Sequence, residues 1–429
     1  MIPRPGRSAV AAISTLGIAT ALGAGFVFLA QAILARRLGP SDYGLFASSL
    51  ATVTMVAPLA GFGLSQFRLR VYGAEGWTAD RWLTASLRFT AWSALLTVGL
   101  VVAWALFGGP VDASTRSMLL LLCPVILGVL AVNLVSSKMR LEDRYAALAG
   151  LHLLMPGGRL LVALLALLIP AMTVYSVALG YCAVALLVVA LSLAPTRAML
   201  RGEMRLQGHG PRVAAPPRPV PAVAELWREA WPYGVAAILY PVFFQVSTVL
   251  VKYINGDAQA GRYGIAMAVM TAIYLLPATI YQKFLLSKLH RWAVHDKPKF
   301  WRIHRQGNLA MLLLGLVVGA GLAATAPLLV PLAFGEQYRG VAAILMVLAL
   351  AIPVRFLSTS VGSALLTGGH MRYRVRAMAT ATFAAIALNA MLIPVFDEFG
   401  AAAATVAAEL LLLSAMYRGV RRVKRSAEA

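Results

Sequence analysis

Apolar residues run through the sequence in long, nearly uninterrupted stretches that short polar segments separate. The first stretch, from about 8 to 34, is longer than the roughly 7–15 apolar residues of a secretory signal and suits a retained spanning helix, which needs about 20 residues. Eleven more stretches predict spans at about 43–66, 84–107, 117–137, 146–168, 171–193, 226–252, 259–285, 307–333, 341–366, 373–394 and 399–417. The pattern therefore predicts an all-α integral membrane protein with about twelve transmembrane helices.

One polar segment divides these spans into two sets of six. Residues 195–223 are rich in Arg and Pro and hold little apolar surface, so they read as an exposed linker. We predict an N-lobe at 1–194, a basic cytoplasmic linker at 195–223, and a C-lobe at 224–429 that ends in a basic cytoplasmic tail. Tyr43-Gly44 recurs as Tyr263-Gly264, which favours two pseudo-symmetric, parallel repeats as in transporters. Chance similarity between apolar segments is the alternative explanation.

Composition and charge agree with a membrane protein. Of the 429 residues, 60% are hydrophobic and only 13% are charged, whereas soluble proteins carry roughly 25% charged residues. The net charge of +22 does not indicate a nucleic-acid partner, because the basic residues fall between apolar runs rather than on one face. With the N-terminus inside, 30 of the 38 Lys and Arg residues lie in cytoplasmic segments and six lie outside. We therefore expect both termini and the linker to be cytoplasmic.

Three charged residues fall near the middle of predicted spans, where each costs about 2.5–3.5 kcal/mol and usually faces the protein interior. They are Arg159, Arg355 and Glu409. Helical spacing places His152 on nearly the same face as Arg159, and it aligns Ser358 and Thr359 with Arg355. The candidate binding residues are Arg159, Arg355, His152, Asn133, Ser358 and Thr359. The alternative is structural: internal ion pairs or contacts with backbone carbonyls for the arginines, and interhelix hydrogen bonds for His152 and Asn133.

Two further roles are predicted within the spans. Glu409 is the sole carboxylate near the middle of a predicted span, so it is the candidate for taking up and releasing a coupling proton; pairing with an Arg or with Thr405 is the alternative. An interior proline removes one backbone hydrogen bond and bends a helix. Pro58, Pro232, Pro241 and Pro277 are therefore candidate hinges, with static kinks as the alternative reading.

Two regions resemble a known family. The segment ARRLGPSDYGLFASSLATVTMVAPLAGFGLSQFRLR, residues 35–70, resembles the span 1 to span 2 region of the bacterial polysaccharide flippases, in the multidrug/oligosaccharidyl-lipid/polysaccharide superfamily. The stretch from Leu365 to Glu409 resembles their last three spans. The resemblance implies alternating-access transport of a polyprenyl-diphosphate-linked oligosaccharide to the periplasmic leaflet of the bacterial inner membrane. It also implies membrane lipid, glycosyltransferases and a polysaccharide polymerase as partners.

Two other functions remain open. A cation-coupled drug or metabolite antiporter of the same superfamily would need carboxylates inside the spans, and spans 1 to 6 contain none. A membrane glycosyl or phosphosugar transferase would need clustered carboxylates to hold a metal, and the acidic residues are scattered. The sequence has no GxxxxGK[ST], HExxH or GxSxG motif. We therefore predict no catalytic residue, metal ligand or cofactor, and a protein that is not an enzyme.

Overall fold

Glycines, prolines and short polar segments interrupt a chain that is otherwise helical. The computed structural model describes residues 7–109, 111–206, 219–279, 292, 296–366 and 371–428, and within these ranges the regular elements are helices, without strands. The α-helices are α1 (Arg7–Gly61), α2 (Leu64–Glu75), α3 (Arg81–Phe107), α4 (Ala113–Leu122), α5 (Pro124–Leu141), α6 (Tyr145–Leu168), α7 (Val174–Leu200), α8 (Val223–Asn255), α9 (Asp257–Thr279), α10 (Lys297–Phe334), α11 (Val341–Ala349), α12 (Ala351–Ser363) and α13 (Met371–Glu428). The predicted all-α membrane fold is confirmed.

Polar residues begin several of these helices in the expected way. Asp112 accepts a hydrogen bond from the backbone N–H of Thr115 at the start of α4. Asp296 does the same for Lys299 at the start of α10, where a proline also occupies the first turn. Both contacts satisfy N–H groups that have no partner within the helix, so they define where an apolar helix can begin.

The longest helical runs are broken by residues with unusual backbone angles. Gly39 interrupts α1 at φ 79° and ψ 170°, and Asp397 interrupts α13 at φ 50° and ψ −136°. Within the described ranges, eight helical runs are long and apolar enough to cross a membrane, or nine if α11 and α12, bent by 40°, form one broken span. One run covers 93 residues, or about 140 Å, several times the hydrocarbon thickness of about 30 Å. It must therefore cross more than once, and the count of twelve stays a prediction.

The chain divides into two compact units. Unit 1 is Met1–Ala30 with Ser49–Val242, and unit 2 is Gln31–Ser48 with Phe243–Ala429. The predicted lobes place residues 31–48 and 224–242 differently from these units. The central part of the predicted linker, 207–218, lies outside the described residues.

Close packing of α1 against α9 at two glycines explains why residues 31–48 belong to unit 2. A Cβ at Gly44 would lie 1.7 Å from the carbonyl oxygen of Asp257, and one at Gly261 would lie 2.4 Å from that of Pro40. The backbones of α1 and α9 therefore touch at two residues without side chains. Small residues of this kind permit the closest packing of helices in a membrane.

A second close approach explains why the first half of α8 belongs to unit 1. Phe62 and Gly63 separate α1 from α2 with φ values of 40° and 65°. A Cβ on Gly63 would lie 2.4 Å from the backbone of Tyr233, and one on Gly234 would meet the Phe62 ring at 2.2 Å. The Phe62 ring also stacks on Trp227, with centroids 4.7 Å apart.

The candidate hinge prolines lie inside helices that continue past them. Pro232 and Pro241 lie within α8, and Pro277 lies within α9. Pro58 lies in the last turn of α1, and its carbonyl accepts the N–H of Phe62 at 2.8 Å just before the helix breaks. The break itself lies at Phe62 and Gly63, which sequence reasoning missed. Hinge motion at the four prolines stays a prediction.

Candidate functional site

Arg159 lies on α6, and its guanidinium lies over an aromatic ring of α7. Its Cζ lies 5.3 Å from the centre of the Tyr181 ring on α7, and its Nη2 lies 4.0 Å from Sδ of Met155. Across the described ranges, no carboxylate lies within 4.0 Å of this guanidinium. A contact with a ring contributes about 0.5–2 kcal/mol but does not neutralise the charge. Arg159 therefore presents a positive charge inside an apolar helix.

Glycines on both helices bring Arg159 to Tyr181. A Cβ at Gly158 would lie 2.7 Å from Val184, and one at Gly180 would lie 2.7 Å from Val162. Val184 of α7 thus packs against the glycine that precedes Arg159, and Val162 of α6 packs against the glycine that precedes Tyr181. The close approach of the two helices brings the guanidinium over the ring.

The other candidates in unit 1 make contacts of their own. Nε2 of His152 lies 3.0 Å from Oγ of Ser136 on α5, which is the interhelix hydrogen bond that the structural alternative describes. The side chain of Asn133 is exposed, and its backbone carbonyl accepts a 2.8 Å hydrogen bond from Ser65. Neither residue hydrogen-bonds to Arg159 in the part of the chain that the structure describes. Their role as cargo ligands stays a prediction.

Arg355 in unit 2 has a carboxylate partner. Its Nη1 lies 3.4 Å from Oε1 of Glu409 on α13, and the two side chains are 12% and 0% exposed. Its Cζ also lies 4.6 Å from the centre of the Phe244 ring and 5.6 Å from that of Tyr274. The internal ion pair that was open as an alternative for both residues is therefore present.

Other polar groups near this pair bond locally. Thr405, the other possible partner of Glu409, instead shares a 2.8 Å hydrogen bond with the hydroxyl of Tyr263. Oε2 of Glu409 is buried and has no hydrogen-bond partner among the described residues. Thr359 donates to the backbone carbonyl of Arg355 at 2.9 Å, and Ser358 is buried. Glu409 is therefore an ion-pair partner of Arg355, while Thr405 bonds to Tyr263.

The two arginines differ in what they can bind. Arg355 and Glu409 together carry no net charge, whereas Arg159 has no carboxylate neighbour among the residues that the structure describes. An anion inside the membrane would gain more from Arg159. Sequence reasoning found both arginines but missed Tyr181, Phe244 and Tyr274, because aromatic residues are common in spans and carry no spacing signal toward a distant arginine.

Solved transporter structures share this fold. The lipid II flippase MurJ, in an inward closed conformation, matches with a TM-score of 0.73 and 13% identity, over 95% of this chain and 87% of that one. An inward-facing multidrug resistance MATE transporter of the MOP superfamily matches with 0.71 and 14%, over 97% and 99%. A MOP superfamily transporter from Pyrococcus furiosus, described as having a binding pocket of reverse polarity, matches with a TM-score of 0.61 and 14% identity, over 97% of this chain and 96% of that one. The fold is that of a multi-pass membrane transporter.

The family follows from the sequence itself. The model described as "Polysaccharide biosynthesis protein" matches residues 9–285, well over half of the chain. The chain belongs to this family, and the resemblance noted at residues 35–70 is confirmed. The second resembling stretch, Leu365 to Glu409, lies outside the matched residues. No curated protein sequence matches the chain.

Proposed function

We propose that the protein is a flippase that moves a polyprenyl-diphosphate-linked oligosaccharide from the cytoplasmic to the periplasmic leaflet by alternating access, for cell-surface polysaccharide biosynthesis. The observation that carries the proposal is Arg159, a cation on an apolar helix with no carboxylate beside it in the described ranges. Membership in the polysaccharide biosynthesis family supports the choice of cargo.

The cargo sets the chemistry that the protein must supply. Moving a pyrophosphate unaided through hydrocarbon is prohibitive, because the anion loses its hydration. A guanidinium replaces part of that hydration, and its planar fork suits phosphate oxygens better than an ammonium does. Arg159 binds the anionic part of the cargo during its passage, while the lipid tail stays in the bilayer.

Arg355 binds the cargo anion only when its ion pair with Glu409 is broken. The cargo anion competes with Glu409 for the guanidinium, and protonation of Glu409 removes this competitor. A proton taken up at Glu409 would therefore couple an ion gradient to cargo binding. The sequence carries no phosphate-binding motif for nucleotide-driven pumping, which supports transport driven by the cargo gradient or an ion gradient.

The proposed location and partners follow from the distribution of basic residues and from the cargo. The distribution of Lys and Arg supports cytoplasmic termini in a bacterial inner membrane. Glycosyltransferases would supply the lipid-linked glycan on the cytoplasmic side, and a polysaccharide polymerase would consume it outside.

A cation-coupled antiporter is the second candidate, because a multidrug MATE transporter shares the fold at a TM-score of 0.71. A cationic cargo requires carboxylates within the membrane in place of its hydration shell. Predicted spans 1 to 6 have none, and Glu409 is engaged by Arg355. The distribution of charge therefore supports the flippase.

Complementation of a flippase-deficient strain tests the proposal. We expect Arg159→Ala to stop surface glycan from appearing while the lipid-linked precursor accumulates, and Arg159→Lys to rescue transport only partly. Arg201→Ala is the control, because Arg201 lies in the same unit with 73% of its side chain exposed. Normal surface glycan from a correctly inserted Arg159→Ala protein would contradict the proposal. Resistance to cationic drugs, without glycan rescue, would favour the antiporter.

A further inference from the structure

A second polar site lies entirely within unit 1, apart from the two in-span arginines. A cavity of about 270 Å³ opens where α2 ends, α3 begins and α8 begins. Its charged lining consists of three arginines and three glutamates: Arg70, Arg81, Arg228, Glu75, Glu225 and Glu229. The apolar part of the wall includes Val71, Ala74 and Trp82. Positive-inside reasoning places these segments on the cytoplasmic side.

The charged side chains are held in pairs that leave hydrogen-bonding capacity unused. Nη2 of Arg81 lies 3.1 Å from Oε2 of Glu75, and Nη1 of Arg70 lies 3.8 Å from Oε2 of Glu229. Trp82 donates to Glu75 at 3.4 Å, while the Arg81 guanidinium lies 5.2 Å from the centre of its ring. Arg81 Nε is buried and has no hydrogen-bond partner among the described residues, and the ion pair with Arg81 is the contact that Glu75 Oε2 makes there. Such groups are costly unless water or a ligand satisfies them.

The chemistry of this lining selects one class of ligand. Three carboxylates disfavour an anion, three guanidinium groups disfavour a cation, and the formal charges cancel. A neutral ligand with several hydroxyls fits both kinds of group, because a hydroxyl donates to carboxylates and accepts from guanidinium groups. A sugar ring also presents apolar C–H groups to the apolar wall. The volume lies just below the range of about 300–1,000 Å³ for drug-sized ligands, so it suits one ring rather than an oligosaccharide.

We propose that this cavity binds a neutral sugar ring of the lipid-linked glycan on the cytoplasmic side before translocation. The inference rests on the proposed flippase function and adds a sugar-recognition subsite to it. Glu75 and Arg81 hold the ring through hydroxyl hydrogen bonds, and Glu229, at the mouth with 50% of its side chain exposed, completes the contact. The subsite makes transport depend on the glycan as well as on the pyrophosphate.

Direct binding tests the subsite with the full chain in lipid nanodiscs. The probes are methyl glycosides of common neutral hexoses and N-acetylhexosamines, inorganic pyrophosphate, and tetramethylammonium, each followed by ligand-observed NMR titration. We expect at least one methyl glycoside to bind, and its Kd to rise about tenfold in Glu75→Gln and in Glu229→Gln, as befits loss of a hydrogen bond to a charged group. Glu203→Gln is the matched control, since Glu203 is an exposed glutamate in an ion pair of the same unit, outside the cavity lining.

Several outcomes would overturn the subsite. These are the absence of glycoside binding across the panel, glycoside binding that Glu229→Gln leaves unchanged, and pyrophosphate or tetramethylammonium binding that the cavity variants abolish. Glu229→Gln decides the matter if Glu75→Gln fails to fold, because Glu229 is half exposed. Failure of the flippase proposal is separate: it would appear as normal surface glycan with Arg159→Ala, whatever the glycosides do.

Discussion

The pair of Arg355 and Glu409 makes a quantitative prediction about stability. Opposite charges 3.4 Å apart attract by about 5 kcal/mol at an effective dielectric constant of about 20. Glu409→Leu removes this attraction and leaves the guanidinium 12% exposed. Removing the carboxylate also removes the cost of its desolvation, which offsets part of the loss. The cation–π contacts of Arg355 with Phe244 and Tyr274 are present in both proteins and cancel. We therefore expect Glu409→Leu to lower the free energy of unfolding by about 3 kcal/mol, at the low end for a broken buried pair.

A double-mutant cycle isolates the pair from its surroundings. Arg355→Met should also destabilise, because it leaves the Glu409 carboxylate fully buried without a partner. The double variant, Arg355→Met with Glu409→Leu, should return to within about 1 kcal/mol of the wild type, since apolar residues replace buried ion pairs at little cost. The assay is reversible chemical unfolding of the purified protein in mixed micelles, and the quantity is the coupling free energy between the two sites.

An exposed pair in the same unit is the control. Nε of Arg339 lies 3.3 Å from Oε2 of Glu336, nearly the same distance, but these side chains are 74% and 73% exposed. The coupling free energy between Arg339 and Glu336 should be at most about 1 kcal/mol, because water screens the charges. If the coupling of Arg355 with Glu409 is no larger than this control, the buried ion pair and the argument built on it are wrong.

Two further predictions concern the helices themselves. Gly44→Ala should lower the free energy of unfolding by at least about 2–3 kcal/mol or abolish folding, because its Cβ would lie 1.7 Å from the backbone of Asp257. Gly25→Ala is the control and should be neutral, because its Cβ would meet nothing within 4 Å. Size-exclusion profiles and unfolding curves compare the two variants. Pro277→Ala restores a helical N–H within α9, so it should keep or raise stability but slow glycan export if Pro277 is a hinge, and export at the wild-type rate would argue for a static kink.

The sequence alone determined the class of fold and most of the candidates. Long apolar stretches can only become buried or lipid-facing helices, so the all-α membrane fold followed from hydropathy. The same rule singled out Arg159, Arg355 and Glu409, because a charge within an apolar span is conspicuous whatever the tertiary structure. The resemblance at residues 35–70 pointed to the family whose model matches residues 9–285.

Only the tertiary structure decided which of these charges is paired. Arg355 and Glu409 lie 54 positions apart, and Arg159 and Tyr181 lie 22 apart on different helices, so no local periodicity relates them. The close contacts of Gly44 with α9, and of Phe62 and Gly63 with α8, join residues far apart in the sequence, which hydropathy does not encode. The cavity beside Trp82 arises likewise, where segments some 150 residues apart meet. Hydropathy indicates whether a residue prefers lipid or water. Which side chains of two helices contact each other depends instead on how closely the helix backbones approach.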